Sequence, residues 1–372
     1  MKLLRLYIHN SGVFKNILID FTHKGEPQSL ICLAGVNGSG KTTVMDLIFN
    51  LINFLNPDLS PENILFDRLR PNVLTWTEFA QLDVLIGNKV LSLVLGDKNH
   101  IQKDNKYIGE QSFIIENEIK DMIKHFENTI IKTPENDDNE PFIIRRLMGI
   151  REEKRFSDRK VEKENEKIFE SFMEEMKNTY TEDKVTQDAL QNMPSVYFFN
   201  AHDREIQDIR YSSIPQEKQK YRVTHRYHPK KNDLKKTLVF YDYAYSEKFE
   251  NLKDWINKYV LVDKKIEKID RPNFQVIIKK DKKEHGLELL SSGEESLLIL
   301  ATQLYLRASE STIFLIDEID QSLHPEFQEK IIKLLKQLQN ETGCQIILSS
   351  HSGIIWKALD ENKIIDLTEM VM

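Results

Sequence analysis

The residues whose spacing points most directly at chemistry are Gly35, Gly40, Lys41 and Thr42. They lie in Ala34-Gly-Val-Asn-Gly-Ser-Gly-Lys-Thr-Thr43, which fits G-x-x-x-x-G-K-[ST]. Glycines let such a backbone curl, so that successive N–H groups across Asn37, Gly38, Ser39, Gly40, Lys41, Thr42 and Thr43 point at a triphosphate. Lys41 reaches the β- and γ-phosphates, and the Thr42 hydroxyl ligates Mg²⁺. This chemistry needs a strand before the loop and a helix after it. Ser29-Leu-Ile-Cys-Leu33 is a short apolar run that reads as a buried strand, and Val44 to Phe54 has helical periodicity.

Three further segments carry groups that complement such a loop. In Thr312-Ile-Phe-Leu-Ile-Asp-Glu318, four apolar β-formers precede two carboxylates. A buried strand ending there sets Asp317 beside the phosphate loop to hold Mg²⁺, and Glu318 next to it to polarise a water for in-line attack. Leu290-Ser-Ser-Gly-Glu-Glu295 precedes a helix. Ser291 and Ser292 supply hydroxyls, Gly293 admits a close backbone approach, and the helix dipole favours an anion; taken alone, the segment is an ordinary N-cap. Ile347-Leu-Ser-Ser-His351 places a histidine just past a buried strand, within reach of a phosphate oxygen.

The remaining elements must bring these segments together. The chain has 372 residues, 40% hydrophobic and 30% charged, with a formal net charge of −7. That is an ordinary globular composition with room for two or three domains, and it argues against a globally basic nucleic-acid binder. No run of eighteen apolar residues exists, which excludes a membrane helix and leaves the cytoplasm as the expected compartment. Cys32 and Cys344 are the only cysteines, so the expectation is two buried thiols in a reducing compartment. Met1 to Phe21 alternates like two strands about Asn10-Ser-Gly12, and Phe79–Ile86 with Val90–Leu95 reads as a hairpin across Gly87-Asn88. Glu116–Phe126, Arg151–Tyr180 and Glu247–Val260 read as charged helices, with Thr133–Pro141 a loop; Ser195–Phe199 reads as a strand. After these come strands at Phe274–Ile278, Leu287–Leu290, Gln345–Leu348 and Ile364–Leu367, and helices at Gly293–Arg307 and Pro325–Leu338.

Together the four chemical segments resemble an ATP-binding-cassette ATPase head. Gly35–Thr42 is similar to its Walker A, Leu290–Glu294 to its signature motif, Ile313–Glu318 to its Walker B, and His351 to its switch histidine. Asn10-Ser-Gly-Val-Phe-Lys-Asn16 resembles the N-F-x-x-F-K-N opening of SMC, RecF and OLD-family proteins, with Ser11 where an aromatic is usual. Asp317-Glu-Ile-Asp-Gln-Ser-Leu-His-Pro325 and Ser350-His-Ser352 resemble the RecF/OLD side.

The resemblance implies an α/β fold: a mixed sheet with a P-loop core, an antiparallel β subdomain and a helical insertion. The head would be discontinuous, 1–97 plus 270–372, with 98–269 a mainly helical insertion whose strand 195–199 returns to the head. ATP and Mg²⁺ are the implied cofactors. Glu318, His351 and Lys41 would be catalytic, Thr42 and Asp317 would hold the metal, and Glu294 would join Ser291, Ser292 and Gly293 at the nucleotide. Two copies would sandwich ATP head to tail, each signature turn completing the other's site. The family's Q-loop glutamine has only Gln81 and Gln111 as candidates.

Two roles follow. One is the ATPase subunit of a bacterial anti-phage complex, resembling those of the Septu and PARIS systems, which controls a separate effector such as a nuclease. An OLD protein carries a Toprim nuclease after its ATPase, whereas 21 residues follow His351 here, and prolines at positions 134, 141, 194, 215, 229 and 272 interrupt any long coiled coil. The other is a RecF/SMC-like DNA-maintenance ATPase. Its support is Arg210–Lys236, with nine Lys/Arg against two acids and Tyr211, Tyr221, His225, Tyr227 and His228 interleaved. Arg222, Arg226, Lys230 and Lys231 are the candidate contacts to DNA, RNA or an acidic partner.

Overall fold

A computed structural model describes residues 1–56, 73–87, 89–97, 100–101, 111–115, 193–201, 203–204, 206, 222–229, 233–261 and 263–371. The helices read at Glu116–Phe126 and Arg151–Tyr180, and the loop Thr133–Pro141, lie outside them. In chain order the elements are β1 (Lys2–Ser11), β2 (Phe14–Asp20), β3 (Leu30–Ala34), α1 (Lys41–Asn53), β4 (Phe79–Ile86), β5 (Lys89–Leu95), β6 (Gln111–Ile115), β7 (Ser195–Phe199) and β8 (Thr224–Arg226). Then follow α2 (Leu234–Ala244), α3 (Ser246–Tyr259), β9 (Lys264–Asp270), β10 (Gln275–Lys280), β11 (Lys283–His285), α4 (Ser292–Arg307), β12 (Thr312–Ile316), α5 (Pro325–Thr342), β13 (Gln345–Ser350), α6 (Gly353–Lys357), β14 (Ile364–Asp366) and α7 (Leu367–Val371).

The central sheet runs β8-β7-β12-β13-β3-β14, and every neighbouring pair is parallel. Parallel strands are covered on both faces, which is why β3, β12 and β13 are buried at every residue. Alternation sorts their side chains. Ile31, Leu33, Val196, Phe198, Ile313, Leu315 and Ile347 enter one core, while Leu30, Cys32, Phe199, Phe314, Ile316, Ile346 and Leu348 enter the other. The first core lies between this sheet and a second one, β2-β1-β4-β5-β6, antiparallel except for the parallel β5–β6 pair. Helix α1 contributes Val44, Met45, Leu47, Ile48, Phe49, Leu51 and Ile52 to that core. The second core is closed by α2, α3, α4 and α5.

The described residues between 193 and 261, within the stretch expected to form the insertion, give two strands to the central sheet and two helices to the second core. Leu287–Leu290 is not a strand. It forms a 3-10 turn at Leu287–Leu289, while β11 takes the third place in the β9-β10-β11 sheet. The buried pair Leu287 and Leu290 is spaced by three, the period of that turn, and not by two. Cys32 and Cys344 are free and buried. None of the described helices is long and apolar enough to cross a membrane.

The N-terminal strand is tied to the C-terminal part of the sheet by one buried side chain. Gln345 accepts from Leu3 N–H (2.6 Å) and donates to the carbonyls of Leu3 (3.2 Å) and Gln28 (2.8 Å). Inside the second sheet, Arg5 is ion-paired with Asp83, whose side chain is fully buried and also accepts from Gln81 (3.0 Å) and Ser92 (2.6 Å). Removing one member leaves a buried charge without its counter-ion. Asp83→Ala is therefore expected to lower unfolding stability by about 3–5 kcal/mol in chemical denaturation, and Asp83→Asn, which keeps hydrogen-bonding capacity, by less.

Candidate functional site

The loop between β3 and α1 adopts conformations that require glycine. Gly35, Gly38 and Gly40 have φ of 141°, 82° and 88°. At Gly40 the space is closed as well, since a Cβ would lie 2.3 Å from Cζ of Phe14 and 3.0 Å from Cγ2 of Val13. The β1–β2 turn thus packs directly against the loop. Helix α1 begins at Lys41 with no side-chain cap and no acid in its first turn. Its first N–H groups are left for an anion. Asn37 and Gly38 are exposed, Ser39 is buried, and Thr42 and Thr43 are half-buried. Ser39 Oγ is buried with no hydrogen-bond partner, an orphaned donor inside the cradle. Lys41 Nζ donates to the carbonyls of Gly35 (2.7 Å) and Val36 (2.9 Å), folded back over its own loop.

Strand β12 delivers Asp317 to this loop. Thr42 Oγ1 donates to Asp317 Oδ2 (2.9 Å), and Ser349 Oγ, at the end of β13, donates to Asp317 Oδ1 (2.6 Å). Ser349 Oγ also accepts the N–H of Glu318 (2.7 Å), while the N–H of Asp317 is taken by the carbonyl of Phe199 in β7 (2.9 Å). Glu318 is half-buried with φ 44°, a left-handed conformation that costs a non-glycine residue about 1–3 kcal/mol. His351 Nε2 lies 3.3 Å from Oδ2 of the buried Asp320, and its imidazole is 45% exposed. Lys41, Thr42, Asp317, Glu318 and His351 therefore gather at the C-terminal ends of β3, β12 and β13, where parallel sheets place their sites. The Thr42 hydroxyl and Asp317 carboxylate are hard oxygen donors in mutual contact, a set that fits Mg²⁺ held together with phosphate oxygens.

The signature turn stands apart. Ser291 and Ser292 are exposed at the N-terminus of α4, and among the described residues no hydrogen bond joins them to Gly35–Thr43. A Cβ on Gly293 would sit 2.9 Å from the carbonyl oxygen of Ser322, so glycine lets α4 approach the segment after Glu318. Glu294, expected at the nucleotide, is engaged within the chain. Its Oε2 accepts Ser291 N–H (2.9 Å) in a capping box and its Oε1 pairs with Lys264 (2.5 Å). Burial disfavours its charge, yet the bonds from Lys264 and Ser291 outweigh that and hold the carboxyl below its usual range.

Of the basic stretch, the structure describes residues 222–229 and 233–236, and among them Arg226 departs from expectation. Arg226 turns inward: it pairs with Asp46 of α1 (3.0 Å), donates to Asn200 (3.3 Å), and lies 4.5 Å over the ring of Phe198. His225 stacks on Tyr197 at 4.7 Å, and Tyr227 is buried against Phe199. His225 in β8 and Tyr227 just past it are thus each packed on an aromatic ring of β7. Arg222 is half-buried; Lys230 and Lys231 lie outside the described residues. Gln81 is buried in β4 and donates to Asp83, and Gln111 falls in β6.

Two residues at the site carried no signal in the sequence. Trp76 is 42% exposed and packs on the β1–β2 turn, where a Cβ on Gly12 would meet its ring at 3.0 Å and Thr43 Oγ1 at 3.9 Å. Arg204, buried, donates from Nη2 to the carbonyls of Asp317 (3.2 Å) and Glu318 (2.8 Å). No periodicity marks either one; only the strand neighbours of β12 reveal Arg204.

A P-loop between a buried parallel strand and a helix, joined to an acid pair at the end of β12 two strands away, defines a P-loop nucleoside triphosphatase with an α/β fold. A family model described as "AAA ATPase domain" matches residues 1–355, and the chain belongs to that family. It is an ATPase. Solved structures similar to it include the SMC head domain from Thermotoga maritima, at 15% identity over 97% of this chain and 93% of that one, TM-score 0.41. An SMC head bound to the C-winged helix domain of ScpA gives 13%, 97%, 92% and 0.43. A Pyrococcus furiosus SMC head with an extended coiled coil, bound to the C-terminal domain of ScpA, gives 12%, 96%, 92% and 0.40. No curated protein matches the chain.

The inward-facing histidine gives a pH prediction. Burial, then the charge of Arg307, push the His225 imidazole down from 6.5 to about 3. Between those values the unfolded chain binds a proton that the folded one refuses, so stability falls as pH drops from 6.5 toward 3. The contribution approaches about 1.4 kcal/mol per pH unit. His225→Phe, which keeps the stack on Tyr197, is expected to flatten the fall in denaturation midpoint between pH 6.5 and 4 relative to the parent chain.

Proposed function

We propose that the protein is an ATP-gated switch in which two copies meet head to tail around ATP and hydrolysis separates them. The observation that carries this reading is the pair of exposed serines at the N-terminus of α4, which make no bond to the chain's own P-loop. The N–H groups of Ser292 and Gly293, at the start of the helix, remain for a ligand. A second copy's γ-phosphate is the anion of fitting chemistry.

In this mechanism the Lys41 ammonium leaves the Gly35 and Val36 carbonyls for the β- and γ-phosphates, and the open N-terminus of α1 takes the phosphate oxygens. Mg²⁺ bound at Thr42 and Asp317 would neutralise charge developing on the phosphates. Glu318 accepts the proton of the attacking water, and His351, steadied by Asp320, donates to the γ-phosphate. Affinity between copies then depends on the γ-phosphate, so its removal shifts the population toward the open pair.

The head is assigned to 1–97 and 270–372, with 98–269 as an insertion that lends strands to the central sheet. The switch is assigned to bacterial anti-phage defence in the cytoplasm, controlling a separately encoded effector, a nuclease by class. The run Asp317–Pro325 and Ser350-His-Ser352, with their OLD-type pattern, support this. A DNA-maintenance ATPase that grips duplex directly is the second reading, supported by the charge of Arg210–Lys236. Co-purification with a neighbouring-gene product, lost when the insertion is altered, supports the first. A salt-dependent DNA shift, lost when Arg222, Lys230 and Lys231 are neutralised, would replace it by the second.

Glu318→Gln is expected to bind ATP with parental affinity while kcat falls by about 10²–10⁴-fold, and dimer should accumulate with ATP in light scattering. Unchanged turnover would remove Glu318 from its role. Ser292→Arg should leave ATP binding to the monomer intact and abolish the ATP-driven rise in mass. A mass that still doubles would show that the pairing does not pass through this turn.

A further inference from the structure

Arg204 belongs to none of the motifs above, yet its guanidinium sits under the acid pair. It is 5% exposed. Nη2 donates to the carbonyls of Asp317 and Glu318, and Nε and Nη2 reach Ala201 O at 3.4 and 3.3 Å. Nη1 is buried with no hydrogen-bond partner. Burying a cation with backbone acceptors alone and one donor unspent is an unfavourable way to stabilise a fold. A neutral donor would tie the same loop at lower cost. Burial draws the group down to about 10, Asp317, Asp320, Glu318 and Asp203 opposing, so the guanidinium is charged at neutral pH.

What the arginine holds is the left-handed turn of Glu318. Its two carbonyl bonds flank the Asp317–Glu318 peptide, opposite in sense to the N–H of Glu318 held by Ser349. Its own loop is anchored in turn. Asn200 donates to Asp203 (2.9 Å) and accepts from Arg226, which is paired with Asp46 on α1. The loop after β7 thus spans from the helix of the phosphate cradle to the turn bearing the proposed base.

We propose that Arg204 is a positioning residue that fixes the orientation of the Glu318 carboxylate from the loop following β7. This rests on Glu318 being the group that activates water. The carboxylate of a residue with φ 44° is aimed by its backbone, and displacing a reacting group by about 1 Å costs on the order of 100-fold. A lysine supplies a charge and one or two of the donors, without the fork that spans three carbonyls.

The test uses the full chain, with affinity for a fluorescent ATP analogue, kcat and KM measured on Arg204→Gln, Arg204→Lys, Glu318→Gln and the double variant Arg204→Gln/Glu318→Gln. Arg204→Gln should keep nucleotide affinity within about 3-fold while kcat falls by about 10–100-fold. Arg204→Lys should recover part of that loss. In the Glu318→Gln background, Arg204→Gln should cost little more, because both act through one group. Parental kcat in Arg204→Gln overturns the proposal, as do multiplicative losses in the double variant. Equal loss of affinity, kcat and melting temperature in both Arg204 variants also overturns it, since a structural tie behaves that way. If Glu318→Gln itself turns over normally, the reading of Glu318 fails, and the proposal with it, by a result distinct from the others.

Discussion

Everything in the site hangs from the hydrogen bond between Thr42 and Asp317, two residues 275 positions apart. It can form only if β3 and β12 lie in one sheet with β13 between them. That order is set by packing, because each of the three strands must bury both faces. The polar ends follow from the apolar middles. Once Ile31 and Leu33 align with Ile313, Leu315 and Ile347 in one core, the residues just past each strand come out together at the same edge. Ser349 then locks the junction, accepting from the backbone of Glu318 and donating to Asp317. Three strands drawn from opposite ends of the chain are thereby held at a spacing set by oxygen–oxygen contacts.

The contrast between two helix starts gives the site its direction. Helix α1 has no cap and no early acid, and it begins on a left-handed Gly40. Its N-terminus is electrostatically unfinished until an anion arrives. Helix α4 begins with a capping box and two glutamates in its first turn. It is stable without a ligand, and only its outermost groups at Ser292 and Gly293 are unspent. A helix that completes itself can serve as a rigid surface presented to another molecule, whereas one that needs phosphate serves as a receptor. The pair of Glu294 with Lys264 of β9 reinforces this, since it fixes α4 to the β9-β10-β11 sheet whether or not nucleotide is present.

Much of this was legible in the residues. The strand cores, the α1 and α4 helices and the acid pair could be read because each follows a simple rule, alternation or a run of apolar β-formers ended by charge. Leu287–Leu290 misled because four residues do not separate a period of two from a period of three. Arg226 differs from its expected outward direction for another reason. Charge count says nothing about direction, and in β8 alternation turns Thr224 and Arg226 one way and His225 the other, with every one of them meeting protein. Arg204 and Trp76 left no mark, since their roles come from neighbours more than sixty residues away in sequence.

That last point bears on how the chain couples its parts. β7 lies between β8 and β12 in the central sheet, and it pairs directly with β12 from Thr312↔Ser195 to Ile316↔Phe199. The carbonyl of Phe199 binds the N–H of Asp317, so the last residue of β7 is bonded to the residue whose carboxylate meets Thr42. One step further on, the loop from Asn200 to Arg204 reaches both Asp46 on α1, through Arg226, and the turn at Glu318. A displacement of β7 itself would pass to the acid pair through these backbone bonds. Tightly packed strands transmit strain because their interiors have little free volume. The pairing of β7 with β12, and not a separate hinge, is therefore the physical route by which a shift of this strand would be felt at Asp317 and Glu318.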